Sequence, residues 1–457
     1  MNQSSAFAIV EQTLRDAALP DIVIAGFAQH YEQLVSGKET YLREETLQPA
    51  HSLLDADTLH SDAARAGSRA LPQTAILKLN GGLGTSMGLQ GPKSLLKVRG
   101  KFTFLDLILQ QANQLSVPLV LMNSFSTAAE TQAVLEASGA DASAVMCFQQ
   151  HQVPKLDAQS LLPIQWPDNP ILQWCPPGHG DIYAALVTSG MLGKLLGAGR
   201  RYLFVSNSDN LGATLDTRLL GHFVETGASF MMEVADRTAA DRKGGHLALD
   251  HDGKFLLREK SQCHPDEAEL FQDVQRHRYF NTNNLWLDLE AIDEQMRSKP
   301  GGIEMPTIVN RKTVDPTDSD SPAVYQLETA MGAAIATLPG STAIRVPRSR
   351  FAPVKTTGDL LAVRSDAYAL HDDYSVGLIP RRNGIPPTVE LQADYYGLID
   401  DLQQRIPEAP SLCDAGRLQV TGDLRFESGV RIIGDVRLSS QAGAVVPAGE
   451  YRRDQVF

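Results

Sequence analysis

Lys93, Asp209 and Lys355 are the side chains of this sequence best placed, by neighbours and spacing, for chemistry on phosphate groups. Lys93 closes the run LKLNGGLGTSMGLQGPKS, Leu77 to Ser94. Glycine lacks a Cβ, so Gly81, Gly82 and Gly84 let the backbone approach a ligand and turn N–H groups towards phosphate oxygens. The lysine then supplies a mobile point charge. Pro92 separates Gly91 from Lys93, so the run is not a Walker A motif. Gly82, Gly84 and Gly88 are spaced one residue too wide for the dinucleotide fingerprint. A different phosphate loop is the reading; a plain strand-to-helix turn with a surface lysine competes with it.

Four further clusters accompany this loop. In FVSNSDNLGA, Phe204 to Ala213, an apolar strand ends in Asn207, Ser208, Asp209 and Asn210. At the carboxyl end of a parallel strand, where open sheets bind ligands, one carboxylate suits Mg2+ shared with substrate phosphates. An Asx turn is the alternative. In WCPPGHGDIYAAL, Trp174 to Leu186, prolines stiffen the approach to Gly178, His179 and Gly180, and a helix follows. N–H groups at that helix start suit an anion or a carbonyl. His179 reads as a hydrogen-bonding group for sugar or phosphate rather than a general base. No other His or Cys stands at zinc-ligand spacing. In YFNTNNLWLDL, Tyr279 to Leu289, clustered amides offer the donors and acceptors that sugar hydroxyls need, or else mark a turn. In VPRSRFAPVKTTGDL, Val346 to Leu360, three cations stand within ten residues. Such a run is ordinarily a solvated face. Phe351, Pro353 and Val354 interrupt it, so Lys355 is expected to point inward and stabilise a transferring phosphoryl group.

These segments need an α/β frame. Short apolar runs at Ala75–Leu79, Leu119–Met122, Ala144–Phe148, Tyr202–Val205 and Phe230–Val234 read as strands, with helices between them. Thr103 opens one helix, and Thr127 with Glu130 resembles a capping box for another. This alternation implies a mostly parallel sheet covered on both faces. Residues 1–70 read as a helical packing appendage: Phe7, Val10 and Leu14 share one face, and Ile24, Phe27, Tyr31 and Leu34 another. The catalytic region is expected at 71–375 and a C-terminal region at 376–457. Within 416–442, Leu418, Leu424, Val430 and Val436 recur every six residues, as do Val420, Phe426, Ile432 and Leu438. A parallel β-helix is the reading, with two antiparallel strands as the alternative. The period suggests about one and a half coils, whose open ends need a partner.

Composition sets the outer bounds. Of 457 residues, 43% are hydrophobic and 21% charged, which suits two or three globular domains. The net charge of −13 disfavours nucleic acid as a partner. No run approaches the length of a membrane span, and the first residues are not a signal peptide. Four cysteines without a CxxC pair read as reduced thiols in the cytoplasm.

Six segments, KLNGGLGTSMG with GPKS, PPGHGD, SNSDNLGA, FNTNNLW, ETAMGAAI and VPRSRFAPVKTT, occur in the order found in the UDP-glucose pyrophosphorylase family of the eukaryotic type. The chain resembles that family from about Leu71 to the six-residue repeat. The resemblance implies a Rossmann-like nucleotidyltransferase domain, a helical N-terminal part and a C-terminal left-handed parallel β-helix. It also implies transfer of uridylyl from UTP to glucose 1-phosphate with Mg2+, by direct in-line displacement. Leu79, Asn80, Gly81 and Gly82 would contact nucleotide and phosphates, and Lys93 the UTP phosphates. Gln150 would read the uracil edge with the backbone of Gly178, and Met122 would pack near the base. His179, Asn207, Ser208 and Asp209 would meet the sugar phosphate and nucleotide, with Asp209 also near the metal. Gly245, Glu259, Asn281 and Asn283 would surround the glucose hydroxyls, and Lys355 would bridge both phosphates. A homo-oligomer would form through the C-terminal region. Ser208 departs from the isoleucine frequent in the family, and Glu259 lies in LREKSQC, a looser match. Two other readings stand: a UTP-dependent transferase for galactose or N-acetylhexosamine phosphate, and a nucleotide-sugar sensor without catalysis.

Overall fold

The apolar runs do become strands, and the sheet they build is more mixed than their alternation with helices implies. The computed structural model of the chain describes residues 3–37, 41–138, 144–238 and 241–457. Ten strands form the central sheet. They are β1 (Gln48–Pro49), β2 (Thr74–Asn80), β3 (Leu119–Asn123), β4 (Val145–Gln149), β5 (Tyr202–Asn207), β6 (Phe230–Asp236), β7 (His246–Leu249), β8 (Phe255–Arg258), β9 (Tyr279–Asp288) and β10 (Thr342–Arg345). The order is β1-β7-β9-β5-β2-β3-β4, with β6 between β9 and β10 and with β8 on β7. Pairing is parallel from β5 through β2 and β3 to β4, and between β6 and β10. It is antiparallel wherever β9 pairs, with β5, β6 and β7. The parallel part positions the glycine loop; β9 joins it to the β7–β8 hairpin.

Strands covered on both faces read as continuous apolar runs. Leu77, Val120 and Val205 pack into the core on one face, and Ile76, Leu121 and Phe204 into the core on the other. Two helices, α1 (Gln3–Asp16) and α2 (Asp21–Ser36), close a satellite core with Val153, Leu156, Cys175 and Leu327. The first 70 residues are not helical throughout, because β1 adds an antiparallel edge to β7. Two residues, one a proline, carry no period that a sequence could reveal. Further on, α3 (Ser61–Ala70) follows. Thr103 caps α4 (Phe104–Leu115): its Oγ accepts the Asp106 N–H at 3.1 Å while the Asp106 carboxylate accepts the Thr103 N–H at 2.8 Å. Thr127 is engaged differently. Its hydroxyl accepts the Ser124 N–H at 2.9 Å, and the Glu130 carboxylate packs against Gly91.

The C-terminal region contains β11 (Thr388–Leu391), β12 (Ser411–Thr421), β13 (Leu424–Phe426), β14 (Val430–Ser439), β15 (Ala444–Val446), β16 (Gly449–Tyr451) and β17 (Gln455–Val456). All their pairings are parallel. Leu418 stands opposite Val436 and Val420 opposite Leu438, three six-residue units apart, so the repeat stacks on itself. The antiparallel alternative is excluded by this pairing. Stacking continues beyond the repeat, to β11 on one side and to β16 and β17 on the other. Those outer rungs carry exposed residues such as Thr388, Glu390 and Gln455, so no apolar period marks them. Leu418, Phe426, Ile432 and Leu438 share one core with Met87, Leu96, Val98 and Leu360, so the stack and the flank of the glycine loop belong to one apolar cluster.

Candidate active site

Strand β2 is buried as far as Asn80 and then releases the chain into the glycine loop. That loop folds back on itself. Leu83 and Pro92 form an antiparallel bridge, and the Lys93 N–H donates to the Gly82 carbonyl at 3.1 Å. The eleven-residue spacing thus returns Lys93 to the strand end. Beside it β5 runs parallel, with Asn207 opposite Leu79 and the Ser208 N–H on the Leu79 carbonyl at 3.2 Å. Asp209 emerges at the carboxyl edge of these strands, where the Lys93 Nζ meets its Oδ2 at 2.6 Å. Asn207, Ser208 and Asp209 are half-buried.

On the next strands, Gln150 follows β4 and donates its N–H to the Asn123 carbonyl at 2.8 Å. Its side-chain amide stands over Gly81: a Cβ there would lie 3.2 Å from the Gln150 Nε2. Asp181 of PPGHGD holds this segment, accepting the His151 N–H at 2.7 Å and bonding the His151 Nδ1 at 2.8 Å. The Gln150 turn and the Gly178 loop are therefore one assembly. Gly178 needs its lack of a Cβ, because its φ is +80° and a Cβ would collide with the Thr329 carbonyl. Thr329 clamps the loop, donating its N–H to the Pro177 carbonyl and accepting the Gly180 N–H, each at 2.9 Å. The His179 Nδ1 accepts the Met331 N–H at 3.0 Å, which leaves the ring proton on Nε2 as a donor. Burial lowers the His179 pKa to about 4, so the ring is neutral at pH 7.

The asparagine cluster is a bulge. Register slips between Glu233 and Val234 of β6, opposite Asn281 to Asn284 of β9. Asn283 takes φ +60°, its N–H donating to the Asn281 Oδ1 at 2.9 Å while the Asn281 Nδ2 donates to the Asn283 Oδ1 at 2.8 Å. His246 pairs with both Phe280 and Arg258, which sets Gly245 and Glu259 beside Asn281. Gly245 and Glu259 pack directly together, since a Cβ on Gly245 would stand 2.6 Å from the Glu259 Oε2. Burial raises the pKa of the Glu259 carboxyl.

One expectation, the inward orientation of Lys355, is corrected. Lys355 does not point inward: it is exposed, with its ammonium 5.7 Å from the Phe351 ring centroid. It stands two residues before α5 (Thr357–Arg364), next to the N-cap Thr356, and Asp359 in the first turn accepts its N–H at 2.8 Å. A chain entering a helix at that point projects its residue from the surface. Asn80 has no free side chain, since its Nδ2 donates to the Asn123 Oδ1 at 2.8 Å and the Thr131 Oγ1 at 3.0 Å. Met122 is 2% exposed and packs in the core with Phe148. Asp181, Thr329 and Asn210 hold these segments together, and nothing in their sequence spacing marks them for it. Asp181 stood within PPGHGD, but no spacing links it to His151, and the Asn210 amide is indistinguishable in sequence from the rest of its polar run.

Among the described residues no group of three His, Cys, Asp or Glu side chains could hold a metal. The half-buried Asp209 carboxylate suits the other arrangement, in which Mg2+ takes one protein carboxylate and completes its shell with phosphates and water. No helix of the described residues is long and apolar enough to cross a membrane, and the four cysteines are free.

The model of the UTP–glucose-1-phosphate uridylyltransferase family matches residues 24–432. The chain is 42% identical over 373 residues to the UTP–glucose-1-phosphate uridylyltransferase of Saccharomyces cerevisiae, covering 80% of this chain and 74% of that one. It is 41% identical over 380 residues to the Hordeum vulgare enzyme of the same name, covering 82% and 78%. A crystal structure of a UDP-glucose pyrophosphorylase variant from Leishmania major, in complex with UDP-glucose, is similar at TM-score 0.91 and 40% identity, over 100% of this chain and 99% of that one. With a match across most of its length and relatives above two-fifths identity, the chain belongs to the UTP–glucose-1-phosphate uridylyltransferase family.

Proposed function

We infer that this chain transfers the uridylyl group of UTP to glucose 1-phosphate, giving UDP-glucose and pyrophosphate. A phosphate oxygen of glucose 1-phosphate attacks the α-phosphorus of UTP. The new P–O bond forms as the bond to the bridging oxygen breaks, and pyrophosphate leaves with that electron pair. The nucleophile is already anionic, so no proton need be removed and no enzyme-bound intermediate is required. What remains for the protein is positioning and charge neutralisation. The observation that carries this reading is the Lys93–Asp209 pair, 2.6 Å apart at the carboxyl edge of the parallel strands.

Lys93 is assigned to the UTP phosphates, and Lys355, exposed and free to swing, to both substrates' phosphates. Asp209 would hold Mg2+, which when bound neutralises charge on the phosphates. Leu79, Asn80, Gly81 and Gly82 would meet the nucleotide, Asn80 through its backbone because its amide is engaged. Gln150 and the Gly178 backbone would read uracil, with Met122 behind them in the core. The neutral His179 would donate from Nε2 to a sugar-phosphate oxygen near Asn207 and Ser208. The bulge amides, Gly245 and Glu259 would take the sugar hydroxyls. The parallel stacking of the C-terminal rungs supports a left-handed β-helix, and its exposed Val445 and Val456 support self-association there. The free thiols support a cytoplasmic setting.

Pyrophosphate release measured across four nucleoside triphosphates and several sugar 1-phosphates tests this. UTP with glucose 1-phosphate should exceed the other pairs. Faster turnover of galactose or N-acetylhexosamine phosphate would move the assignment to another sugar, and UDP-glucose binding without turnover would make the chain a sensor. Equal rates with ATP and UTP would remove Gln150 as the base reader.

A further inference from the structure

Asp209 and Lys355 belong to segments distant in sequence, and one side chain stitches those segments together. Asn210 is 4% exposed and uses its whole amide. Its Nδ2 donates to the Arg350 carbonyl and the Asn284 Oδ1, both at 3.2 Å. Its Oδ1 accepts the N–H of Ala352 at 2.9 Å and of Gly212 at 3.2 Å. The backbone completes the seam. The Val354 N–H donates to the Asp209 carbonyl at 3.1 Å, and the Leu211 N–H to the Ala352 carbonyl at 3.3 Å. Asn210 and Pro353 form an antiparallel bridge between them.

Beneath the seam lies a fixed floor. The Arg350 guanidinium grips the fully buried Glu233, Nε to Oε2 at 2.7 Å and Nη2 to Oε1 at 2.8 Å. Glu233 also accepts from the Trp286 Nε1 at 2.9 Å and the Asn284 Nδ2 at 3.0 Å. A two-pronged guanidinium and two neutral donors satisfy this carboxylate, so the floor has one arrangement. Arg350, Asn284 and Asn210 then fix the segment that ends in Lys355. The Lys355 side chain is itself exposed, so the seam determines where its amine starts from.

We propose that Asn210 is a positioning residue, which holds the Asp209 carboxylate and the Lys355 amine in one register so that both charges act on the transferring phosphoryl group. This rests on the assignment of Asp209 and Lys355 above. A preorganised charge loses its effect when displaced by about an ångström, and losses through one shared element do not multiply.

The test is a double-mutant cycle on the full chain with UTP, glucose 1-phosphate and Mg2+. Asn210→Ala should lower kcat about 10-fold or more, with the KM for UTP changing less than about threefold, because the change falls on charge placement. The double variant Asn210→Ala with Lys355→Ala should lose clearly less than the product of the two single losses, because the part of the Asn210 effect that acts through the amine is already gone, while the part that acts through Asp209 remains. If Asn210→Ala is insoluble, Asn210→Asp keeps the shape and the acceptor, loses both donors, and enters the same cycle. A slow Lys355→Ala variant with losses that multiply in the double variant overturns the inference and leaves the assignment of Lys355 intact. A Lys355→Ala variant of normal kcat overturns that assignment and the inference together.

Discussion

Truncating Lys355 removes one positive charge without disturbing packing, because the side chain is exposed. Lys355→Ala should therefore fold normally and lose about 10²-fold or more in kcat, the usual cost of deleting a charge that stabilises the transition state. Steady-state kinetics beside a thermal melt checks this; a normal kcat returns the residue to a solvated face. His179 supports a second expectation. Burial takes its pKa from the usual 6.5 to about 4. Its 15N resonances should report a neutral ring, protonated on Nε2, down to about pH 5. The sign for stability follows from proton uptake. Between pH 6.5 and about 4 the unfolded chain binds a proton at this position that the folded chain does not. His179 therefore lowers stability as pH falls through that window. Denaturant melts of the wild type and His179→Gln should converge at neutral pH in their slope and differ across the window. Residue identity was legible here, as a glycine-flanked histidine. The Met331 amide that fixes its tautomer comes from 152 positions further on and leaves no mark in the sequence.

At the scale of elements, the helix behind Lys355 is a handle on the amine. Thr356 caps it, with Oγ accepting the Asp359 N–H at 3.1 Å and the Asp359 carboxylate accepting the Thr356 N–H at 2.8 Å. The same carboxylate accepts the Lys355 N–H. Thr356→Ala should cost about 1 kcal/mol of stability, the typical value for a lost cap. It should also slow turnover, by less than Lys355→Ala does, since the amine remains but its base is loosened. Urea titration and kcat on one preparation separate the two effects, and an unchanged kcat would show that the helix start does not govern the amine. Two other Thr-x-x-acid segments, Thr103 to Asp106 and Thr127 to Glu130, look alike in the sequence. Thr103 became a capping box, whereas Thr127 turned to the Ser124 amide. Local spacing cannot weigh that competition, because the Thr127 hydroxyl is taken by the Ser124 N–H and the Glu130 carboxylate packs against Gly91 on another element.

For the whole molecule, the shared core of the C-terminal stack and the glycine loop governs what a truncation does. Phe426 is buried in that core together with Met87 and Leu96. Phe426→Asp would place a charge there, at a cost of at least several kcal/mol unless the carboxyl is neutralised. The expected result is lost solubility or assembly by light scattering and reduced pyrophosphate release. Deletion after Pro410 should do the same, and its effect should reach the glycine loop, because it removes Leu418 and Leu438 from the core that also holds Met87. A truncated chain as soluble, assembled and active as the full one would make the tail dispensable.

The sequence alone determined the strand runs, the glycine loop, the polar strand end at Asn207 to Asn210 and the stacked repeat, since each rests on neighbours within a few residues or on a period. Tertiary structure decided the rest. It brought Lys93 onto Asp209, Asp181 onto His151 and Thr329 into the Gly178 loop. It turned Lys355 outward and buried Met122. It also reversed β9 against its neighbours, which places Asn281 to Asn284 on a bulge. These outcomes depend on which buried polar groups find partners across the fold. A hydrogen bond between distant segments imposes no spacing on either, and so the sequence does not display it.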